Sequence, residues 1–508
     1  MTGTRSTLGF AAALLLGTAT PVFAQEAAPR DPAAGSPKAM AAEARRYLAR
    51  ITALDDLPGG PQLNAVIVVN TIAPGEAAEQ AGKGLLGGRA VLVKDNIETS
   101  EFATTAGSLA LADNRTGRDA PLIARLQHAG GVVLGKTNLS EWANIRAAWS
   151  SSGWSAVGGQ TRNPHAIDRT PCGSSSGSGA AVAAGMAWAA IGTETDGSIT
   201  CPASANGIVG FKPTVGMVSR TFVVPISHSQ DTAGPMARSV RDAALLLSAI
   251  AGSDPADPAT AEADKHRGDF TAGLASASLQ GLRIGVLRRQ VGSHAGMQKV
   301  FEAALTDLKA AGAVLVEIDY QPDPAMFRDE SLVLRYELKH DLNKYLAALP
   351  GKPAVRSLTE VIAFNKAHAD TELRWFGQET FEAADLLSDE AAYTAARANS
   401  LRLAGAEGID RLLRENTVTL LIAPTEGPAW PIDLVTGDHF ISTGAGSLAA
   451  IAGYPHLTVP MGDIAGLPVG LSFIGAQWDD KRVLEAGAAY ERARTAKVPE
   501  PGFGRWGE

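Results

Sequence analysis

Residues 171–213 decide the fold and read PCGSSSGSGAAVAAGMAWAAIGTETDGSITCPASANGIVGFKP. Ser174 opens a cluster of serine and glycine, and Ser198 follows 24 residues later in a second, glycine-flanked turn. Between the two serines, Ser178 to Ala190 is almost entirely Ala, Gly and Val. This run predicts a buried helix, because small side chains let neighbouring elements approach closely. Ile191 to Thr195 then predicts a short buried strand, so the two serines lie at the ends of one packed unit.

The composition and charge of the chain limit its class and its partners. Its 508 residues are 45% apolar and 19% charged, which is typical of a globular protein with enough material for a large core. The net charge of −8 argues against nucleic acid or an anionic membrane as a partner.

Predicted strands and helices alternate along the chain, and no linker separates two domains. This alternation indicates an α/β layered fold. Residues 138–170 are rich in Trp, Ser, Gly and Asn without a clear period, so we expect loops that line a cleft. Residues 329–407 are helical and more charged, and could form a helical cap over the site. We predict strands at 65–69, 90–94, 132–134, 282–287, 314–318, 419–423, 457–460 and 469–473, and helices at 37–54, 121–129, 237–252, 300–311, 444–452 and 483–494.

The N-terminus has the pattern of a cleaved secretory signal peptide over residues 1–24. Arg5 supplies the positive charge, residues 8–16 form an apolar segment, and Val22-Phe23-Ala24 matches a small-x-small cleavage site. The apolar segment is shorter than the roughly 20 residues that a membrane span needs. We therefore predict a periplasmic or secreted protein that starts at Gln25, with a flexible lead-in over 25–37 and one domain over 38–508. The alternative is a disordered extension from a misplaced start codon.

The two cysteines, Cys172 and Cys201, each lie within three residues of one of the two serines. An exported protein can form a disulfide, and the cysteines would approach each other if the serines do. Sequence alone cannot give the required geometry, so two separate buried thiols are the slightly favoured interpretation and a disulfide is the alternative.

Several motifs resemble those of the amidase signature family, from about Val91 to Glu491. Lys94 ends the strand in AVLVKDNI, and Ser174 and Ser198 stand in the two serine turns that this family uses. The motifs GKTNLSEWAN, SGWSAVGGQTRNP, PCGSSSGS, GTETDGS and SQDTAGPMARSV are similar to those of bacterial peptide amidases within the family.

The resemblance implies a fold and a set of catalytic residues. The fold is a single domain with a central mixed twisted sheet covered by helices. Ser198 would be the nucleophile, Ser174 the bridging serine preceded by a cis peptide bond, and Lys94 the base. The backbone N–H groups of the turn Thr195, Asp196, Gly197 and Ser198 would form the oxyanion hole. No cofactor and no metal are expected.

The chemistry of Lys94 can be assessed from the residues themselves. A serine hydroxyl needs a base, and lysine is a base only when it is neutral. Burial lowers the pKa of a lysine, and the preceding apolar run favours burial. The alternative is a surface lysine at a strand end.

The turn before Ser198 departs from the common family wording. Asp-Ile-Gly-Gly-Ser is replaced by Glu194-Thr-Asp-Gly-Ser198. The resemblance implies that the peptide amidases share this variation. It therefore favours that subgroup of the family and does not argue against amidase activity.

Two other glycine-rich motifs compete for this stretch. Gly173–Gly177 matches the G-x-S-x-G elbow of α/β-hydrolases, with Ser175 as nucleophile and His228, His439 or His456 as base. That elbow requires a strand directly before the serine, but the sequence of residues 163–171 does not have the pattern of a strand. A phosphate loop would need a Gly-Lys-Ser/Thr ending, and metal-binding spacings of His and Cys do not occur.

We therefore expect an amidase that hydrolyses primary carboxamides, with C-terminal amides of peptides as the favoured substrates. Aryl, aliphatic or fatty amides are alternative substrates, and an inactive binding protein with the same fold is the alternative from another class. A subunit of an amidotransferase is less favoured, because an exported protein has no access to charged tRNA. The expected partner is a small-molecule or peptide amide, without nucleic acid, a membrane span or an obligate protein partner. The candidates for lining the cleft, each also explicable by packing, are Trp142, Trp149, Trp154, Arg162 and Asn163.

Overall fold

A computed structural model describes residues 35–508 of the chain. The predicted signal peptide, its cleavage after Ala24 and lead-in residues 25–34 lie outside the described residues. The first described helix begins at Pro37 behind the N-cap Ser36, so it starts where the lead-in was predicted to end.

The centre of the molecule is an 11-stranded mixed sheet. Its strand order is β1-β3-β2-β6-β8-β7-β12-β13-β11-β9-β10, and β4 and β5 form a separate two-stranded ribbon. The pairs β2–β3, β2–β6, β9–β10 and β9–β11 are parallel, and the other pairs of the large sheet are antiparallel. The strands are β1 (Val66–Val69), β2 (Ala90–Lys94), β3 (Val132–Thr137), β4 (Trp154–Ser155), β5 (Gly159–Gln160), β6 (Ala189–Glu194), β7 (Val209–Lys212), β8 (Thr232–Ala237), β9 (Arg283–Leu287), β10 (Val314–Ile318), β11 (Leu420–Pro424), β12 (His456–Ile464) and β13 (Leu467–Ile474).

Helices cover the sheet, which confirms the predicted α/β class. Proline stands in the first turn of α1 and α3, where its missing N–H leaves no helical hydrogen bond unmade. The helices are α1 (Pro37–Ile51), α2 (Ala73–Gln80), α3 (Pro121–His128), α4 (Ser176–Ala183), α5 (Thr200–Ala205), α6 (Val240–Ile250), α7 (Ala263–His266), α8 (Ala295–Ala310), α9 (Pro324–Ala347), α10 (Leu358–Ala367), α11 (Ala369–Glu372), α12 (Glu379–Asp385), α13 (Glu390–Ala404), α14 (Asp410–Asn416), α15 (Gly446–Ala452) and α16 (Asp480–Ala493). Among residues 35–508, none of these helices has both the length and the apolar content to cross a bilayer.

The centre of the sheet requires small residues. Every residue of β2 and β6 is buried, as expected for strands that are covered on both faces. A Cβ added to Gly192 in β6 would lie 2.8 Å from Ser175 Oγ and 2.9 Å from the sulfur of Met236. The glycine therefore allows the N-terminus of α4 to approach the sheet closely, and this brings the first serine turn next to β6.

The predicted helix over Ser178 to Ala190 is too long. Helix α4 ends at Ala183, and Ala189 and Ala190 already belong to strand β6. Gly185 has a positive φ of 69°, which terminates the helix in the left-handed conformation that glycine adopts without strain. Alanine has a high helix propensity, but pairing with β2 and β8 places these alanines in the sheet.

Three short elements around the serines have no counterpart among the predicted elements: α5, β7 and β8. Strand β8 contains Gly234 and Pro235, residues that are depleted in strands. It nevertheless pairs with β6 on one side and β7 on the other. No strand was predicted over this motif, because its strand character comes from the two neighbouring strands.

The region over 329–407 is mostly helical, as predicted, and comprises most of α9 and the helices α10 to α13. Its apolar residues, including Leu338 and Leu342 of α9, form a cluster with Ala106, Leu111 and Trp142. The helical region therefore packs on the loops that follow β2 and β3.

Candidate active site

Lys94 lies at the end of β2 and is fully buried. Its Nζ donates hydrogen bonds to Ser174 Oγ at 2.9 Å, to Thr193 Oγ1 at 2.8 Å and to the Thr193 carbonyl at 3.2 Å. Thr193 Oγ1 also accepts a hydrogen bond from Asn96 at 3.0 Å. The amine is therefore held at a defined position beside Ser174, and the alternative of a surface lysine is wrong.

Burial lowers the pKa of Lys94 to about 7, because the charged form loses its hydration. The carboxyl groups of Asp231 and Glu194 act in the opposite direction. Asp95, the next residue, points to the other face of the sheet and forms a buried ion pair with Lys136 at 3.0 Å. It therefore leaves the Lys94 amine without a directly paired carboxylate.

The two serine turns lie side by side. The Ser175 backbone N–H donates to the Ser198 carbonyl at 3.0 Å, and the Ser140 N–H donates to the Ser174 carbonyl at 3.0 Å. The peptide bond between Gly173 and Ser174 is cis. Ser174 is fully buried, whereas Ser198 retains 8% exposure. The structure thus brings the predicted Lys94, Ser174 and Ser198 into one site, with Ser198 on the solvent side.

Ser175 is placed differently from the nucleophile of a hydrolase elbow. It precedes α4, and no strand leads into it. Its fully buried Oγ donates to the Thr193 carbonyl at 3.0 Å and accepts from the Thr193 N–H at 3.2 Å. Within residues 35–508 no histidine is hydrogen-bonded to this hydroxyl, so Ser175 has a structural role between α4 and β6.

The turn that carries Ser198 presents backbone amides to the cleft. Gly197 has a φ of 79°, and nothing lies within 4 Å of the position where a Cβ would point. In the described part of the chain, the N–H groups of Thr195, Asp196, Gly197 and Ser198 have no hydrogen-bond acceptor. Unpaired amides in a tight turn can bind a developing negative charge.

The carboxyl groups of Glu194 and Asp231 stabilise the turn that carries Ser198 through hydrogen bonds. Glu194 Oε2 accepts from the N–H groups of Ile199 at 2.7 Å and Thr200 at 2.9 Å, which caps the start of α5 directly after Ser198. Asp231 Oδ1 accepts from Thr195 Oγ1 at 2.6 Å. The role of Asp231 was not predicted from the sequence, although the residue lies in the motif SQDTAGPMARSV that resembles the family.

The carboxyl group of Asp196 contacts residues from two distant segments of the chain. Its Oδ2 accepts from Ser447 Oγ at 2.7 Å, and its carboxyl group lies within hydrogen-bonding reach of Glu330 on α9. Burial, together with the nearby charge of Glu194, raises the pKa of Asp196 to about 6. Ser447 is 251 residues away in sequence, so no local signal could have identified it as a partner.

Cys172 and Cys201 form a disulfide, with 5.9 Å between their Cα atoms. The slightly favoured interpretation of two separate thiols is wrong, because the contact between the serine turns also brings the cysteines together. The bond joins the residue two before Ser174 to the second residue of α5, three after Ser198. Trp430 packs with both cysteines in a small apolar cluster.

Of the five candidates for lining the cleft, one is strongly exposed. Trp142 and Trp154 are buried and pack edge-on against Phe381 and Phe376. Asn163 is buried and donates to backbone carbonyls of residues 170 and 205. Arg162 is partly exposed, and its backbone N–H pairs with the carbonyl of residue 63. Trp149 is 73% exposed.

One group of side chains has the donor atoms of a metal site: His228, Glu337 and Asp341. The two ring nitrogens of His228 face different carboxylates, Asp341 at 2.9 Å and Glu337 at 3.4 Å. Ser229 and Tyr393 also donate to Glu337, each at 2.8 Å. This arrangement is a hydrogen-bonded link between a loop and α9.

Comparisons of the sequence and the fold with known proteins point to one family. The sequence profile of the family Amidase matches residues 45–484. A probable amidase from Arabidopsis thaliana is 36% identical over 425 residues, which cover 82% of this chain and 78% of the plant protein. A glutamyl-tRNA(Gln) amidotransferase chain from Deinococcus radiodurans is 34% identical over 474 residues, which cover 86% of this chain and 92% of the bacterial protein.

The chain therefore belongs to the amidase signature family and is a hydrolase that acts on amide C–N bonds. Within that class, it is similar in structure to the native peptide amidase from Stenotrophomonas maltophilia. That structure has 50% sequence identity and a TM-score of 0.86, and the match covers 91% of this chain and 95% of the other.

We predict that replacing both cysteines by alanine lowers the free energy of unfolding by about 2–4 kcal/mol, because the cross-link restricts the unfolded chain. Thermal unfolding of the Cys172→Ala/Cys201→Ala variant, compared with the oxidised wild type, measures the loss. Wild type reduced by dithiothreitol serves as the matched control and should unfold at the same temperature as the double variant. An unchanged unfolding temperature in both would contradict the prediction.

Proposed function

We propose that this amidase hydrolyses primary carboxamides to a carboxylate and ammonia through an acyl-enzyme on Ser198. The observation that carries the proposal is the 2.9 Å hydrogen bond between Lys94 Nζ and Ser174 Oγ, beside the turn of Ser198. A buried amine with a pKa of about 7 is neutral in a large fraction of molecules at neutral pH. A neutral amine has a lone pair that accepts a proton, which a charged surface lysine lacks.

The proposed reaction proceeds in two halves. Ser198 Oγ attacks the carbonyl carbon of the amide, its proton passes to Ser174, and the Ser174 proton passes to Lys94. The same path returns a proton to the amide nitrogen, the C–N bond breaks, and ammonia leaves with the acyl group on Ser198. Water then attacks the ester by the same route, which releases the carboxylic acid and restores the serine.

The turn residues supply the other part of this mechanism. The unpaired N–H groups of Thr195, Asp196, Gly197 and Ser198 would donate to the oxygen that becomes negative when Ser198 attacks. Gly197 leaves room for the substrate carbonyl to approach the backbone. Loss of a single such donor in other enzymes reduces the rate by about 10²–10³-fold.

We propose C-terminal amides of peptides as the substrate class. The support is the 50% identity with the peptide amidase from Stenotrophomonas maltophilia and the resemblance of several motifs of this chain to those of bacterial peptide amidases. The match to the amidotransferase from Deinococcus radiodurans is at lower identity, 34%. The presence of Lys94, Ser174 and Ser198 together in one site supports an active enzyme over an inactive binding protein.

We predict that the protein releases ammonia from peptide amides, and faster than from simple aliphatic amides and anilides. Ser198→Ala and Ser174→Ala should each reduce kcat by at least about 10³-fold, since each removes a member of the proton path. Ammonia release over this substrate panel, with circular dichroism to confirm folding, is the measurement. Ser276→Ala, an exposed serine far along the chain, is the matched control and should keep full activity. Activity retained in Ser198→Ala and lost in Ser175→Ala would instead support the elbow hypothesis.

We predict that kcat/KM rises with pH through about 7, because the neutral form of Lys94 is the base and its pKa is about 7. Below that value the rate should fall about tenfold per pH unit. Lys94→Arg should be inactive at every pH tested, because a guanidinium stays charged in this range. Initial rates across the neutral range, from mildly acidic to mildly alkaline buffer, give the profile.

A neighbouring carboxyl could also titrate in this range, since the pKa of Asp196 is raised to about 6. The Asp196→Asn variant is therefore the control, and its profile should still rise through the pKa of Lys94, about 7. Near wild-type rates for Lys94→Arg would show that the residue is only a structural cation.

We further propose that the protein is exported and that its mature form begins at Gln25. The support is the signal-peptide pattern of residues 1–24, and a disulfide next to the site suits an oxidising compartment. Mass spectrometry of the protein recovered from its expressing cells should give the mass that starts at Gln25. A recovered protein that still contains Arg5 would contradict cleavage.

A further inference from the structure

A loop over residues 425–445 joins β11 to α15, and both of its ends lie near the turn of Ser198. At its start, the charge of Asp196 contributes to raising the pKa of Glu426, behind burial as the main cause. Just after its end, Ser447 Oγ donates to Asp196 at 2.7 Å. The loop therefore starts within electrostatic reach of the nucleophile turn, and Ser447, just after its end, is hydrogen-bonded to that turn.

The tip of this loop contacts a second loop, residues 148–153. The Asp438 carboxylate accepts from the Ser152 N–H at 3.0 Å and from Ser152 Oγ at 2.6 Å, and the Asp438 N–H donates to the Ser150 carbonyl at 3.1 Å. Ser152 in turn lies beside Gly173, because a Cβ added there would be 3.2 Å from Ser152 Oγ. The two loops therefore meet next to the turn that bears Ser174.

Three large apolar side chains are exposed on these two loops. Trp149 is 73% exposed, Val435 is 84% exposed and Phe440 is 57% exposed. Phe440 rests on Trp430 with 4.5 Å between the ring centroids, and Trp430 packs against the disulfide between the serine turns. The backbone of Trp149 lies beside Gly437 of the other loop, since a Cβ added to Gly437 would be 3.1 Å from the Trp149 carbonyl carbon. Exposed apolar side chains on adjoining loops, instead of scattered singly, indicate a binding surface.

We propose that Trp149, Val435 and Phe440 bind apolar side chains of the peptide that precedes the scissile amide. This inference rests on the proposed function and specifies its substrates: peptide amides with apolar residues upstream of the C-terminal one. The occupant follows from the position of the surface, because the two loops lie next to the turns of Ser174 and Ser198, where the terminal amide of a peptide would be bound. Aromatic side chains offer large contact areas with few rotatable bonds, which suits side chains of varied shape.

The test compares long and short substrates in the Trp149→Ala/Phe440→Ala variant. KM for an apolar tetrapeptide amide should rise about tenfold while kcat stays near the wild-type value, since these residues touch the substrate away from the reacting atoms. KM for an N-acetylated single amino-acid amide should not change. Leu386→Ala, an 83% exposed leucine directly after α12, is the matched control and should leave both values unchanged.

A binding measurement separates this inference from the proposed function. Isothermal titration calorimetry measures the Kd of the tetrapeptide amide for Ser198→Ala and for the same variant that also carries Trp149→Ala and Phe440→Ala. This Kd reports on the surface whether or not the wild-type enzyme cleaves the peptide. A Kd about tenfold weaker without the aromatics supports the surface. An equal Kd, or an equal rise in KM for long and short substrates, overturns it. Analytical ultracentrifugation of Ser198→Ala, with and without the two aromatic residues, completes the test. A dimer that dissociates when the aromatic residues are removed would assign the surface to self-association and would also overturn the proposal.

Discussion

The site depends on the burial of one amine. Lys94 lies at the end of a fully buried strand, and its pKa of about 7 means that charging it in place costs on the order of 5 kcal/mol more than in water. Three oxygen contacts fix its position without supplying a full counter-charge: Ser174 Oγ and the hydroxyl and carbonyl of Thr193. A directly paired carboxylate would stabilise the ammonium and remove the base. Asp95 avoids this because successive residues of a strand point to opposite faces, and it pairs with Lys136 instead.

The buried amine is useful only because the two serine turns meet in front of it, and that meeting depends on small residues. Helix α4 is rich in Gly, Ala and Ser, and Gly192 in β6 leaves space for Ser175 to contact the sheet. The Ser175 N–H then holds the Ser198 carbonyl, and the disulfide between Cys172 and Cys201 ties the two turns a second time. Close packing and two cross-connections thus restrict the motion of the hydroxyl groups, which a proton path through two serines requires.

Three carboxyl groups connect the nucleophile turn to other parts of the structure. Glu194 caps α5 and Asp231 accepts a hydrogen bond from Thr195, so both stabilise the backbone of the turn. Asp196 connects the turn to Ser447 and to Glu330 of the helical region. Within the described residues, the backbone N–H groups of the turn have no hydrogen-bond acceptor. Asp196 therefore links the nucleophile turn to two segments that are distant in the sequence.

Much of this protein was determined by local sequence. The apolar strand before Lys94, the helix with Pro at its start over 121–128 and the alternation of elements follow from periodicity and end signals that act within a few residues. The motifs around Ser174 and Ser198 were enough to identify the family. Tertiary structure decided what depends on contacts between distant segments. It made strand β8 from a motif with glycine and proline, placed Ala189 and Ala190 in strand β6, joined the cysteines and brought Ser447 to Asp196. These outcomes could not be predicted locally, because each depends on the free energy of contact with residues far away in sequence, and that energy exists only once the sheet has assembled.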